Sequence, residues 1–251
     1  MKNELFLNEL CRIAQKAGDA ILSYYGQALD VERKADRSPV TQADMAAHRI
    51  ITQALEALCP DIPVISEEHT EHILPRGATK FFLVDPLDGT KSFIRGDGEF
   101  TVNIGLIDED VPTHGVIYVP CGQQMYAGAQ GHGAWREWEG GARESIATRA
   151  TPPEGLSAMV SFAHKDPQTD GFLARFPIAV RDSASSSLKF CRVAEGVADI
   201  YPRFGPTMEW DTAAGHAIVL AAGGRMEQPD GAAFHYAKPQ FRNGAFVVYG
   251  E

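Results

Sequence analysis

The stretch Phe81-Phe82-Leu83-Val84-Asp85-Pro86-Leu87-Asp88-Gly89-Thr90 decides how this chain is read. Four apolar residues of strand character run into two carboxylates, Asp85 and Asp88, with Pro86 between them and Gly89 and Thr90 after them. Pro86 sets its own φ and keeps Asp85 extended. Gly89 is free to take the positive φ that turns a backbone back on itself. The expectation is a strand that ends in a turn, with both carboxylates facing one cavity. Thr90 is a candidate N-cap for a short helix from Lys91 to Arg95, and a helix N-terminus offers N–H groups and partial positive charge to a phosphate. Hard oxygen ligands beside such an end point to magnesium and a phosphoryl group.

Upstream, Pro63-Val64-Ile65-Ser66 is a second short strand ending in acid, at Glu67 and Glu68. Two neighbouring strands that end in carboxylates can converge at one sheet edge, and convergent carboxylates need cations to coexist. Before them, Leu7, Leu10, Ile13, Ala14, Ala17, Ile21 and Tyr24 recur at helical spacing, so residues 4 to 25 read as an amphipathic helix closed by Gly26. Val31 to Lys34 reads as a strand. Thr41 or Ser38 caps a second helix with apolar Ala47, Ile50, Ile51, Ala54, Leu55 and Leu58. Asp44 in its first turn is accounted for by the helix dipole on spacing alone.

Downstream, residues 100 to 107, 115 to 119, 125 to 129 and 133 to 138 read as an antiparallel meander. Gly131-His132-Gly133 falls in one of its turns and is no dinucleotide loop. The Gly-, Pro- and Glu-rich stretch 139 to 155 separates an N-terminal α+β half, 1–140, from a C-terminal α/β half, 141–251. In the second half, strands at 158 to 162 and 178 to 180, a helix near 170 to 176, a helix from Ser187 to Glu195, a strand from Asp199 to Arg203 and a helix from Asp211 to Ala222 alternate. Asp211 stands at a helix start, where an Asp is commonly a cap. It joins Glu67, Asp85 and Asp88 as a fourth candidate metal ligand, with the Leu87 carbonyl as a further oxygen.

The 251 residues suffice for a substantial core, and a formal net charge of -10 argues against a nucleic-acid polymer as partner. A small anionic substrate remains compatible if metal ions supply the positive charge. Cys11, Cys59, Cys121 and Cys191 form no C-x-x-C pair, as expected of reduced thiols. Met1 to Gln15 lacks a signal-peptide pattern, and no apolar run reaches membrane-span length. None of the eight histidines shows the i, i+4 zinc pattern, and no P-loop is present.

Together Ile65-Ser66-Glu67-Glu68, Asp85 through Lys91, Gly98 through Ile107 and Trp210-Asp211-Thr212-Ala213-Ala214-Gly215-His216 resemble the inositol monophosphatase superfamily of lithium-sensitive, magnesium-dependent phosphatases. The likeness is spread over nearly the whole chain. Ser185 through Phe190 and Tyr201 through Pro206 are more similar to its bacterial 3'(2'),5'-bisphosphate nucleotidase branch than to the inositol phosphatases. The resemblance implies a layered αβαβα sandwich and two or three Mg²⁺ ions on Glu67, Asp85, the Leu87 carbonyl, Asp88 and Asp211. Asp44 and Thr90, with Glu67, would orient the attacking water, and the Gly89 and Thr90 amides would hold the phosphate. Ser186, Lys189 and Arg203 would grip the nucleotide or its second phosphate. Ser92 departs from the acidic residue usual in close relatives, at a position that is no ligand.

The implied reaction converts adenosine 3',5'-bisphosphate (PAP) to AMP and phosphate, and PAPS to APS, within sulfur metabolism. The alternatives are a phosphatase for inositol phosphates or sugar bisphosphates, and a non-catalytic sensor of a phosphorylated metabolite. A cytoplasmic monomer or homodimer is expected. Relatives are described as peripheral at the inner membrane, but no polybasic stretch supports that here.

Overall fold

The computed structural model describes residues 2–27, 32–33, 39–161 and 166–251. The alternative cap Ser38 and the ends of the strand expected at Val31 to Lys34 lie outside them. Helical periodicity at the N-terminus produces α1 (Lys2–Leu22), which buries Leu7, Leu10, Ala14, Ala17 and Ile21. It stops at Leu22, short of the expected residue 25, and turns lead on to Gly26. A small antiparallel ribbon, β1 (Glu32–Arg33) with β2 (Pro39–Val40), precedes α2 (Gln42–Leu58). Thr41 caps α2 by accepting the Ala43 N–H, and Asp44 returns the bond by accepting the Thr41 N–H at 2.8 Å.

Seven strands follow in one sheet, laid side by side in chain order. They are β3 (Val64–Ser66), β4 (Lys80–Asp88), β5 (Thr101–Asp108), β6 (Val111–Val119), β7 (Gln124–Ala129), β8 (Gly133–Trp138) and β9 (Glu144–Ile146). β3 and β4 are parallel and the others antiparallel, with α3 (Thr90–Arg95) between β4 and β5. The remaining chain supplies β10 (Leu156–Ser161), α4 (Pro167–Leu173), β11 (Ile178–Ala184), α5 (Leu188–Ala194), β12 (Ile200–Arg203), β13 (Thr207–Met208), α6 (Ala213–Ala221), β14 (Arg225–Glu227), β15 (Arg242–Asn243) and β16 (Phe246–Tyr249). A five-stranded sheet has the order β11-β10-β12-β16-β14, in which β16 runs antiparallel to both neighbours. β13 and β15 form a separate antiparallel ribbon.

The run Phe81 to Val84 is buried on both faces of its sheet, as a strand with no polar alternation must be. Phe82 and Val84 pack with α1 and α2, while Phe81 and Leu83 join a second core with residues of α5, α6 and the five-stranded sheet. On the far face of that sheet, Leu156, Ala158, Ile200 and Val247 cover Phe172 and Leu173 of α4. Helices α1 and α2, the first sheet, α5 and α6, the second sheet and α4 thus make an αβαβα sandwich. β9, past residue 140, completes the first sheet, and α6 packs on that sheet's inner face.

Three glycines make the last contact close. Gly105, Gly115 and Gly128 are opposed in register across β5, β6 and β7. A Cβ at Gly105 would lie 2.6 Å from Ala213 Cβ, and one at Gly128 would lie 2.9 Å from Ala221 Cβ; at Gly115 it would overlap the Ala214 carbonyl. The small residues of α6 rest on this bare strip, so the segment leading into α6 is held at the sheet edge.

Candidate active site

β4 does not end at Val84. It continues to Asp88 through an irregularity in which Asp85 pairs with Asn103 and Asp88 with Thr101. Three steps on β4 therefore face two on β5, which is one extra residue. In a regular strand, residues three apart point to opposite faces, and a bulge with one extra residue returns them to the same side. The Asp85 carboxylate accepts the Leu87 N–H at 3.1 Å. Gly89 then takes φ 95 and caps α3, and a Cβ there would come within 3.0 Å of the Glu99 carbonyl.

Thr90 is the first residue of α3 and not its cap, because Gly89 already occupies that position and makes no side-chain cap bond. Its hydroxyl lies 3.2 Å from Asp44 Oδ1 and 3.3 Å from the Leu87 carbonyl. Asp44, buried at the start of α2, receives Thr41 on Oδ2 and Thr90 on Oδ1. The cap reading and the site reading of Asp44 describe two oxygens of one carboxylate.

Glu67 follows β3, and its N–H extends the ladder to the Val84 carbonyl at 3.0 Å. Oxygens of Glu67, Asp85 and Asp211 all lie within 4.8 Å of one another. Asp211 closes a 3-10 turn, Glu209–Asp211, and its carboxylate accepts the Met208 N–H at 2.8 Å; the N-cap of α6 is Thr212. Asp211 is therefore not a cap of that helix.

Asp88 is held by residues that spacing does not single out. Its Oδ2 accepts from Ser187 Oγ at 2.8 Å and from Asn103 Nδ2 at 3.3 Å, and Asn103 also reaches Ser187 Oγ at 2.8 Å. Thr101 Oγ1 donates to Asn103 Oδ1 at 2.9 Å and fixes the amide's orientation. A fully buried Asn in the otherwise apolar run Val102 to Leu106 is the signal that could have found it.

Burial pushes the carboxyl of Asp211 well above the ordinary range, helped by the charges of Asp88 and Glu67. Burial also raises Asp88, against the pull of Lys189, Ser187 and Asn103. Half-buried carboxyls that disfavour one another's charge either keep a proton or take up a cation. The donors are all hard oxygens, which suits Mg²⁺ chemically.

Asp88, Gly89, Ser186, Lys189, Arg203 and Asp211 border one cavity of about 220 Å³. Ser186 has φ 51, and its buried Oγ has no hydrogen-bond partner among the described residues. Lys189 is buried, and its ammonium donates to the Ala184 and Ser186 carbonyls, so it shapes the serine turn directly. Burial lowers it to about 8, although Asp88 opposes the shift. Arg203 donates to Ser161 Oγ and to the Pro206 carbonyl at 3.5 Å, while its Nε is buried without a partner among the described residues. A larger cavity, about 310 Å³, opens beside α1. Its Arg143 is already taken up by Glu137 and Asn8, and the carboxylate trio lies elsewhere.

A family model described as the Inositol monophosphatase family matches residues 2–246. Over 247 residues the chain is 47% identical to the 3'(2'),5'-bisphosphate nucleotidase CysQ of Escherichia coli (strain K12), covering 96% of this chain and 98% of that one. Its counterpart in Buchnera aphidicola is 40% identical over 248 residues, covering 96% and 92%. The crystal structure of CysQ from Bacteroides thetaiotaomicron, a bacterial member of the inositol monophosphatase family, is 39% identical with a TM-score of 0.81, covering 95% and 94%. A family model and relatives that each span nearly all of the chain, on a sandwich of the same fold, establish that this protein belongs to the inositol monophosphatase family.

Proposed function

We propose that this chain is a magnesium-dependent phosphatase that removes the 3'-phosphate of adenosine 3',5'-bisphosphate to leave AMP, and that of PAPS to leave APS. The observation that carries the reading is the cavity joining Asp88 and Asp211 to Lys189 and Arg203. A substrate with two phosphates needs a carboxylate cluster fit for cations at one end and fixed positive charge at the other. Glu67, Asp85, the Leu87 carbonyl, Asp88 and Asp211 would hold two or three Mg²⁺ ions. When bound, the ions neutralise phosphoryl oxygens and acidify water.

The chain's own groups do the rest. Thr90 Oγ1, with its proton directed to Asp44 Oδ1, accepts a hydrogen bond from the incoming water and aims its lone pair at phosphorus. As that water loses its proton to Thr90, the Thr90 proton passes to Asp44, while the P–O3' bond breaks and the departing 3'-oxygen takes a proton from solvent to give the AMP hydroxyl. Glu67 helps orient the same water, and the Gly89 and Thr90 amides face the phosphate. Ser186 Oγ and Arg203 Nε, both without a hydrogen-bond partner among the described residues, are the groups that meet the nucleotide's remaining phosphate, beside the Lys189 ammonium. No covalent phosphoenzyme is required.

Among the described residues no helix is long and apolar enough to cross a membrane. Independently of that, we propose a cytoplasmic enzyme, monomeric or homodimeric, with peripheral association at the inner membrane as the alternative. The test is phosphate release with Mg²⁺ from adenosine 3',5'-bisphosphate, inositol 1-phosphate and fructose 1,6-bisphosphate. We expect the nucleotide to be preferred at least 10-fold in kcat/KM, about 1.4 kcal/mol of discrimination. Preference for either other substrate moves the assignment within the family. Binding without release from any of them identifies a sensor.

A further inference from the structure

Three histidines, His48, His69 and His72, converge on one residue, Ser66, which immediately precedes Glu67. His48 Nδ1 lies 2.9 Å from Ser66 Oγ, and His69 Nδ1 accepts the Ser66 N–H at 3.3 Å. His72 Nε2 lies 3.0 Å from the Ser66 carbonyl and 3.3 Å from the Glu67 carbonyl. Carbonyl oxygens only accept, so His72 Nε2 carries the proton and donates to both. The other side of the His72 ring is also engaged. It lies 4.6 Å from the ring of Trp210 at an interplanar angle of 41°, and meets Phe241 edge-on at 6.5 Å. Trp210 is buried and immediately precedes Asp211.

One imidazole therefore touches both acidic segments without being part of the acidic cluster. Its N–H grips the backbone that carries Glu67, and its ring packs at a tilt against the residue before Asp211. Those two segments are remote in the chain, yet their carboxylates come within 4.8 Å of each other and of Asp85. Like charges at that distance push the segments apart, and an imidazole bound to one and packed on the other opposes the separation. We infer that His72 is a positioning residue that presets the spacing of Glu67 and Asp211 for the divalent ions. The inference rests on reading the cluster as a Mg²⁺ site. Preset ligands lose less freedom when the ion arrives, so the role is expressed in metal affinity.

The experiment is a Mg²⁺ titration without substrate, following both the thermal midpoint and binding heat, for the native protein, His72→Ala and His72→Gln. Glutamine keeps an N–H donor but not the ring. The apparent Mg²⁺ dissociation constant should rise on the order of 10-fold in His72→Ala. It should rise by a smaller factor in His72→Gln, which alone supports the inference if the alanine variant does not fold. A purely structural His72 would lower the thermal midpoint equally with and without Mg²⁺ and leave the titration unchanged. A dissociation constant within about 2-fold of native in His72→Ala, or in His72→Gln if only that variant folds, overturns the inference. If the native protein shows no Mg²⁺-linked heat or stabilisation, the metal reading fails and this inference fails with it.

Discussion

Asp88 separates charge from shape. Its Oδ2 sits against Ser187 and Asn103, and its charge helps burial push the Asp211 carboxyl above the ordinary range. Asp88→Asn keeps the size of the side chain and removes a repulsive charge. The metal-free thermal midpoint should hold or rise, while Mg²⁺-linked stabilisation shrinks and turnover falls on the order of 100-fold or more. Calorimetry with and without Mg²⁺ checks the first part and steady-state kinetics the second; near-normal turnover would remove Asp88 from the ligand set. Arg203 tests specificity. A charge-assisted contact to the second phosphate contributes roughly 1.5–3 kcal/mol. Arg203→Ala should therefore lower kcat/KM for adenosine 3',5'-bisphosphate about 10- to 100-fold, at about 1.4 kcal/mol per tenfold. A small monophosphate, with no second anion, should lose much less. Equal losses on both substrates would place Arg203 in the scaffold. Lys189 differs, because its ammonium also holds the turn Ala184 to Ser186, so its replacement should depress both substrates.

Among the elements, α6 and the glycine strip decide where Asp211 stands. Gly105, Gly115 and Gly128 lie within their strands and serve as contact surface for Ala213, Ala214 and Ala221. The Cβ of Gly115→Ala would overlap the Ala214 carbonyl, and backbone cannot swing aside as a long side chain can. Overpacking of this kind costs about 1–3 kcal/mol. Urea unfolding should register that loss, and kcat should fall as well, because Asp211 lies two residues before the start of α6. Unchanged stability in Gly115→Ala would show that the helix rides higher on the sheet than described.

For the whole molecule, the buried histidines set the acid limit. Burial takes His216 from 6.5 to about 3, with the charge of Lys238 a smaller cause, and its Nδ1 lies 3.1 Å from the Tyr236 hydroxyl. His48 is lowered to about 4, by burial first and then by His69 and Arg49. The folded state thus binds fewer protons than the unfolded chain between the folded values and 6.5. The contribution of these two histidines to stability is full above about pH 6.5 and is lost as pH falls toward 3 to 4. The urea midpoint should drop through that window, and His216→Gln, which can still hydrogen-bond Tyr236, should remove about one proton from the slope, roughly 1.4 kcal/mol per pH unit. An identical slope in the variant would reject His216 as a contributor.

The chain by itself determined whatever depends on neighbours in sequence. The apolar run Phe81 to Val84 dictates a strand, Gly89 its positive φ, Thr41 or Ser38 a start for α2, and the alternation after residue 100 the meander. Juxtaposed acids at the ends of two strands also made the candidate site legible. What local pattern could not supply was register and partnership. Thr90 reads as a cap and Asp211 as a helix start because propensity ranks residues without knowing which backbone N–H groups tertiary contacts have already satisfied. β14 and β16 went unread because their short apolar runs give no period to count. Whether Asp85 and Asp88 share a face depended on a bulge that exists only against β5. Asn103 and Ser187, 84 positions apart in the chain, meet at Asp88, and His72 reaches Trp210 from a distant segment. Such contacts are decided by tertiary structure, since a buried polar group is satisfied by whatever the packing of distant elements brings within hydrogen-bond reach.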